Sequence, residues 1–350
     1  GLAGPGEFTE RAFLAGKIDL TQAEAIHDLI AAQTMEQARM AAQQLGGALS
    51  VRVAPAKERL VHLIALLEAG MDFASGELDD VDVVAPEAIA GVLGEVRPAL
   101  EALAASYARG HRLRDGASLA LVGRPNVGKS SLFNRLLERE RAIVTAAPGT
   151  TRDTVEEAVA VGGVPVRLID TAGLRLEGEA PVDEAEALGI ARSREALADA
   201  DLVLVVLDAS STTTGEERAL IGSLEGRPFL TVRNKADLLA DEGGGGEGGL
   251  LTSARTGAGL EELRGAILRA LQAEGSVGGE GALNTLRQRG AVEDALEALA
   301  AAEEANAAGL PHELLLEDLY RGLRALDSLT GQTTTEEILG RIFSTFCIGK

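Results

Sequence analysis

A chain of 350 residues with 46% apolar side chains has room for two cored domains, and with 3% aromatic residues it must pack them from Leu, Val, Ile and Ala. A single cysteine excludes an internal disulfide, and no apolar run nears the ~18 residues of a membrane span and no export signal opens the chain, so the expectation is a cytoplasmic protein without a membrane partner. Lys and Arg number 33 against 54 Asp and Glu, and the net charge of −21 repels nucleic acid on average, confining any RNA contact to a local patch or a partner.

The chain opens GLAGPGEF rather than on methionine, which reads as a piece of a longer protein. From Thr21 to Arg114 the sequence is rich in Ala, Leu, Glu and Gln, and Leu60, Leu63, Ile64 and Leu67 recur at helical spacing. Arg109, His111, Arg112 and Arg114 form either a basic patch or a solvated linker, and the linker is the plainer reading. From Ala117 to Glu274 short β-branched runs alternate with helical stretches: SLALVG, then VEEAVAV and VPVRLID across a Gly162-Gly163 turn, then DLVLVVLD and PFLTVRN. Such alternation predicts a mostly parallel sheet covered on both faces. The tract DEGGGGEGG, Asp241 to Gly249, has no packing content and reads as a mobile loop.

Beyond the Gly-rich stretch near Gly275 to Gly281, helices return with Leu316, Leu319, Leu323 and Leu326 on one face. Thr333 and Glu336 form a capping box that predicts the start of a last helix. The expected fold is an α/β domain at 116–275, mostly parallel with one antiparallel strand, inserted into an all-α helical-bundle domain at 21–115 and 276–350. The closing FSTFCIGK carries the only cysteine. Its spacing is that of a prenylation box, but Lys350 and Gly349 are the wrong residues for one. Phe343, Phe346 and Cys347 also fit one apolar helical stripe.

The run GRPNVGKS, Gly123 to Ser130, matches the phosphate-binding pattern G-x-x-x-x-G-K-[ST] and lies between a strand and a helix. Its glycines let backbone N–H groups wrap phosphates, Lys129 meets β and γ oxygens, and the Ser130 hydroxyl serves Mg²⁺. In LIDTAG, Asp170 ends a strand where a carboxylate holds the metal's water shell, and Gly173 is placed to sense a γ-phosphate. In NKAD, Asn234 to Asp237, the Asp237 carboxylate can accept from guanine N1–H and the 2-amino group, a donor pair adenine lacks, so it selects GTP. Thr252-Ser253-Ala254 follows the next strand, and the ordered set makes 116–275 an expected α/β P-loop GTPase domain that resembles the translation-factor class of GTPases.

Where the common template has a water-positioning glutamine after DxxG, this chain has Leu174. Either the domain is a switch with negligible turnover, or it takes its polar group from elsewhere. Asn126 either ligates a monovalent cation through its amide oxygen or braces the loop, and spacing does not choose between the two. The stretch IVTAAPGTTRDT, Ile143 to Thr154, adds Thr145, Thr150 and Thr151, hard oxygen donors suited to K⁺ as well as Mg²⁺.

Taken together, PGEFTERAFLAGKIDLTQAEAI, GRPNVGKSSLFN, the GTTRDT loop, DTAGLR and the terminal CIGK resemble the MnmE (TrmE) family of tRNA-modification GTPases over nearly the whole chain. The resemblance implies a potassium-activated GTP hydrolase whose G domains meet face to face in a homodimer. It also implies a FAD-binding partner, MnmG (GidA), in a heterotetramer that adds an aminomethyl or carboxymethylaminomethyl group at carbon 5 of the tRNA wobble uridine. The carbon comes from a folate, as 5-formyl- or methylene-tetrahydrofolate. By position, K⁺ falls to Asn126, Thr145, Ala147 (through its carbonyl) and Thr150, and Mg²⁺ to Ser130 and Thr151.

The nucleotide contacts implied run along Asn126, Val127, Gly128, Lys129, Ser130 and Ser131, then Thr145, Ala146, Ala147, Pro148, Gly149, Thr150 and Thr151. They continue through Asp170, Thr171, Ala172 and Gly173 to Asn234, Lys235 and Asp237, and end on Ser253, Ala254 and Arg255. The water-positioning glutamate falls on Glu186, which without the resemblance reads as a solvated helix residue. Lys17 and Lys350 match folate-contacting positions, and Cys347 matches a cysteine linked to the modification step. Residues 1–20 match only the tail of the family's N-terminal folate-binding and dimerisation domain. The rival expectation is a ribosome-assembly or RNA-binding switch of the translation-factor class, which typically appends a basic RNA-binding domain that this acidic chain lacks.

Overall fold

The computed structural model describes residues 3–74, 84–137, 158–170, 200–239, 248–272 and 280–332, together with Leu339 and Ile342. In chain order these residues form helices α1 (Glu7–Leu14), α2 (Leu20–Ala31), α3 (Met35–Leu45), α4 (Ala48–Ala74), α5 (Pro86–Ala105) and α6 (Tyr107–Asp115). Strand β1 (Ala117–Val122), helix α7 (Lys129–Leu137), and strands β2 (Ala158–Val161), β3 (Val164–Asp170) and β4 (Leu202–Asp208) follow. Next come α8 (Gly215–Ser223), β5 (Phe229–Asn234), β6 (Leu250–Leu251), α9 (Leu260–Gln272), α10 (Leu286–Ala307) and α11 (His312–Thr330). The chain divides into two compact units, one of Gly1–Ala32, Gln37–Arg114 and Gly275–Lys350, the other of Gln33–Glu36 and Asp115–Glu274. Among the described residues, no helix is long and apolar enough to cross a membrane.

In the helical unit the apolar stripe of α4 is part of one buried cluster. Leu60, Leu63, Ile64 and Leu67 share this core with Leu93 and Leu100 of α5, Val292 and Leu299 of α10, and Leu319 and Leu326 of α11. Burying each such side chain is worth about 1.5–3 kcal/mol, which is what holds segments so distant in sequence together. Helix α2 starts at Asp19, whose carboxylate accepts from the Gln22 N–H at 2.8 Å while the Gln22 side chain accepts from the Asp19 N–H at 2.9 Å. This reciprocal cap satisfies two N–H groups that a helix start otherwise leaves orphaned.

The basic run at Arg109 to Arg114 is helical, as α6, and is not a solvated linker. Tyr107 and Gly110 are buried, and Arg114 Nε donates to Asp28 Oδ1 at 2.8 Å. Burial lifts the Asp28 carboxyl above the usual carboxylate range even with Arg114 beside it. A Cβ added to Gly110 would lie 2.0 Å from the Leu283 carbonyl oxygen, and the Ser106 hydroxyl accepts from the Leu283 N–H at 3.1 Å. The segment leaving the helical unit and the segment re-entering it therefore touch.

Beside this junction lies a largely buried ion pair, with Glu24 buried and Arg287 partly so, in which Arg287 donates to both Glu24 carboxylate oxygens at 2.8 Å and Gln288 adds a bond at 2.9 Å. Removing one partner of a buried pair leaves the other charge desolvated. Glu24→Ala is expected to lower the unfolding free energy by about 3 kcal/mol in urea titrations, and a Glu24→Met, Arg287→Met double variant to recover most of it. A double variant as unstable as the single one would contradict that account.

The other unit is a six-stranded sheet in the order β2-β3-β1-β4-β5-β6. All neighbours are parallel except β2 and β3. Every residue of β1 is buried, because both faces of a central parallel strand are covered, and the apolar run ASLALV reflects this. The β2–β3 hairpin turns on Gly162 and Gly163 at φ 57° and 85°, the two left-handed positions a tight hairpin needs. Helix α8 packs Leu220 and Ile221 on Val203, Val205 and Leu207 of β4. It starts with a capping box between Thr214 and Glu217. The Thr333–Glu336 box and positions 241–247 of the Gly-rich tract lie outside the described residues, whereas Gly248 and Gly249 lead into β6.

Candidate nucleotide-binding site

Because β1, β3, β4, β5 and β6 are parallel, their carboxyl ends lie on one edge, where ligands of open α/β sheets bind. The register sets Asp170 opposite Leu121 and Asp208 opposite Asn234. The phosphate-loop strand β1, Asp170, and the NKAD and Ser253-Ala254 segments therefore end on the same edge.

The loop from β1 to α7 is shaped by three left-handed residues, Gly123 at φ 147°, Asn126 at 65° and Gly128 at 92°. Two of them admit no side chain. A Cβ on Gly123 would lie 2.2 Å from the Val206 carbonyl oxygen, and one on Gly128 would lie 2.3 Å from Asn234 Nδ2. Asn126, Ser130 and Ser131 are exposed, while Val127 is buried and anchors the loop. The Lys129 ammonium donates to the carbonyls of Gly123 at 2.7 Å and Arg124 at 2.9 Å, which keeps a positive charge in the mouth of the loop. Helix α7 begins at Lys129, so its amino terminus and partial positive charge face the same opening.

Asn234 is 2% exposed and joins the loops. Its amide nitrogen donates to the Val127 carbonyl at 3.0 Å, and its amide oxygen accepts from the Ala254 N–H at 3.0 Å. Lys235 follows in the left-handed region at φ 67° and starts the short turn Ala236–Leu238 that carries Asp237. Asp237 Oδ1 accepts from the Ser253 hydroxyl at 2.5 Å, and Arg255, itself 82% exposed, lies 3.7 Å from Oδ2. The carboxylate is thus held by one hydroxyl with acceptor capacity remaining on both oxygens.

Sequence reasoning missed Asp208. Its Oδ2 accepts from the Lys235 ammonium at 2.7 Å, and its Oδ1 from the Ser210 hydroxyl at 2.6 Å and the Ser210 N–H at 2.9 Å. Burial opposes ionisation of this carboxyl, but the bonds from Lys235 and Ser210 together hold it below the usual carboxylate range. The signal available was its place at the end of DLVLVVLD, the strand that neighbours NKAD.

The structure brings together Asn126 through Ser131, Asn234, Lys235, Asp237, Ser253, Ala254 and Arg255, with Asp170 closing β3 on the same edge. Lys17 is exposed just beyond α1, in the helical unit. Thr145, Ala146, Ala147, Pro148, Gly149, Thr150 and Thr151 lie outside the described residues. So do Thr171, Ala172, Gly173, Leu174, Glu186, Cys347 and Lys350.

Comparison with known proteins gives the chain its relatives. Residues 20–347 match the family model for the MnmE helical domain. The chain is 54% identical over 353 residues to the tRNA modification GTPase MnmE of Koribacter versatilis, an alignment covering 100% of this chain and 76% of that protein. It is 45% identical over 354 residues to the MnmE of Parasynechococcus marenigrum, covering 99% of this chain and 75% of that protein. Among solved structures it is similar to the G domain of the T. maritima FeoB iron transporter, at 31% identity and a TM-score of 0.32, over 45% of this chain and 99% of that one. With the family model running over both halves of the helical unit and relatives this similar along the full length, the chain belongs to the MnmE family of tRNA modification GTPases.

Proposed function

We propose that the chain is a potassium-activated GTP hydrolase that acts in the cytoplasm with a FAD-binding MnmG partner to modify carbon 5 of the wobble uridine of tRNA. One observation carries the GTPase part of this reading. The Asn234 amide ties the phosphate loop to the Ser253-Ala254 loop, so a triphosphate end and a base end belong to a single rigid site. Backbone N–H groups of the loop and the Lys129 ammonium meet the phosphates, and the Asp237 carboxylate meets guanine N1–H and the 2-amino group.

The donors present suit the ions this chemistry uses. An exposed Ser130 hydroxyl on the first turn of α7 is a hard-oxygen donor for Mg²⁺, to which Thr151 would add a second hydroxyl, while Asp170, at the end of β3 on the same edge, would hold the metal's water shell. An Mg²⁺ held there would supply charge neutralisation to the triphosphate. Asn126, exposed and left-handed, offers an amide oxygen for K⁺, with Thr145, the Ala147 carbonyl and Thr150 completing the ligands. Bound there, K⁺ supplies the positive charge that an arginine finger provides in other GTPases. Glu186 orients the attacking water, the role Leu174 leaves vacant. Cys347 and Lys350 serve the modification step together with a folate, which Lys17 also contacts. Residues 1–20, part of the compact helical unit here, correspond to the tail of a folate-binding and dimerisation domain, and the hydrolytically competent species is a homodimer joined through its GTPase domains.

Turnover of GTP in K⁺ against Na⁺ tests this reading. The rate is expected to be about tenfold or more higher in K⁺, and Glu186→Ala to lose the K⁺-stimulated part. Equal rates in the two salts would remove the cation, and an unaffected alanine variant would remove Glu186.

A further inference from the structure

Lys235 is one of two non-glycine residues in the left-handed region among the described residues, and both flank the nucleotide site. A lysine has no intrinsic reason to adopt this conformation, so something around it must hold the turn. Its backbone continues into Ala236–Leu238, the turn that presents Asp237. On the side-chain end, the ammonium is fixed 2.7 Å from Asp208 Oδ2, in a pair whose side chains are 32% and 19% exposed. Asp208 is itself immobilised, because its backbone is in register with Asn234 across the β4–β5 ladder and the Ala209 N–H donates to the Asn234 carbonyl at 2.7 Å. The second carboxylate oxygen is taken by the Ser210 hydroxyl and N–H. The result is a closed circuit from Asp208 to Lys235 to the Asp237 turn, and back through Asn234.

We propose that Asp208 is a positioning residue for guanine recognition, acting through Lys235 to hold the left-handed turn that aims the Asp237 carboxylate at the base. It touches no part of the nucleotide itself. The inference rests on the reading of Asp237 as the guanine acceptor. A loosened turn blurs the placement of that carboxylate, so the loss falls on the groups it recognises more than on the phosphates. A charge-assisted, partly buried bond is the kind whose removal such a turn feels.

The test is binding of GDP and of IDP, which lacks the 2-amino group, to the 350-residue chain. Asp208→Asn is expected to weaken GDP about tenfold and IDP about threefold, shrinking the preference for GDP, and Asp208→Glu to restore most of it. For GTP turnover the same change raises KM more than it lowers kcat. Should Asp208→Asn fail to fold by circular dichroism, Ser210→Ala keeps the ion pair and the backbone N–H bond but removes the hydroxyl bond to Oδ1, and it must shrink the preference by about twofold. Equal loss for both nucleotides, or an unchanged preference in these variants, overturns the proposal. A wild-type chain that shows no preference for GDP over IDP overturns the reading of Asp237, and this inference with it.

Discussion

Gly128→Ala is expected to abolish productive GTP binding, lowering kcat/KM by about 10³-fold or more. At φ 92° any side chain is already strained, and the new Cβ would lie 2.3 Å from Asn234 Nδ2. Asn234 cannot retreat cheaply, because its amide is engaged by Val127 on one side and Ala254 on the other and is 2% exposed. Either the phosphate loop lifts or the loops on the base side part. Misplacement by about 1 Å alone costs on the order of 10²-fold, and the strained backbone adds to it. Calorimetric titration with GDP and steady-state GTP turnover measure the loss. Binding within about threefold of wild type would mean that this contact does not fix the loop.

Asp237→Asn is expected to reverse base preference, with GTP losing and XTP gaining, so that their ratio shifts by about 10³-fold. Asp237 keeps acceptor capacity on both oxygens after taking the Ser253 hydroxyl, which suits the two adjacent donors of guanine. Asparagine presents one acceptor and one donor, matching the N–H and C=O of xanthine at the same edge. A site built to pair such groups rejects a mismatched edge strongly, because buried partners are left unsatisfied. Turnover with GTP and XTP in parallel reads the ratio. An unshifted ratio would show that Asp237 does not face the base.

Much of this architecture was legible because motif spacing and strand–helix alternation act locally. The run Gly123 to Ser130 lies on a strand–loop–helix, and the stripe Leu60, Leu63, Ile64 and Leu67 is buried, as their patterns required. Illegible features depend on residues distant in sequence. The run Arg109 to Arg114 reads as solvent-facing by composition, yet Arg114 pairs with an aspartate 86 positions earlier. Asp208 acquires its role only through the parallel register that sets it beside Asn234, which no periodicity within β4 reveals. Local signals were also passed over, since Asp19–Gln22 and Thr214–Glu217 fit the same cap pattern as Thr333–Glu336.

The contact of Gly110 and Ser106 with Leu283 bears on how such a chain can arise and survive. A host whose two severed ends stay within bonding distance loses almost no freedom when a long passenger is spliced between them, since closure entropy grows only logarithmically with the spliced length. The passenger may then vary, or melt and refold through its working cycle, while the host bundle keeps its own cooperativity.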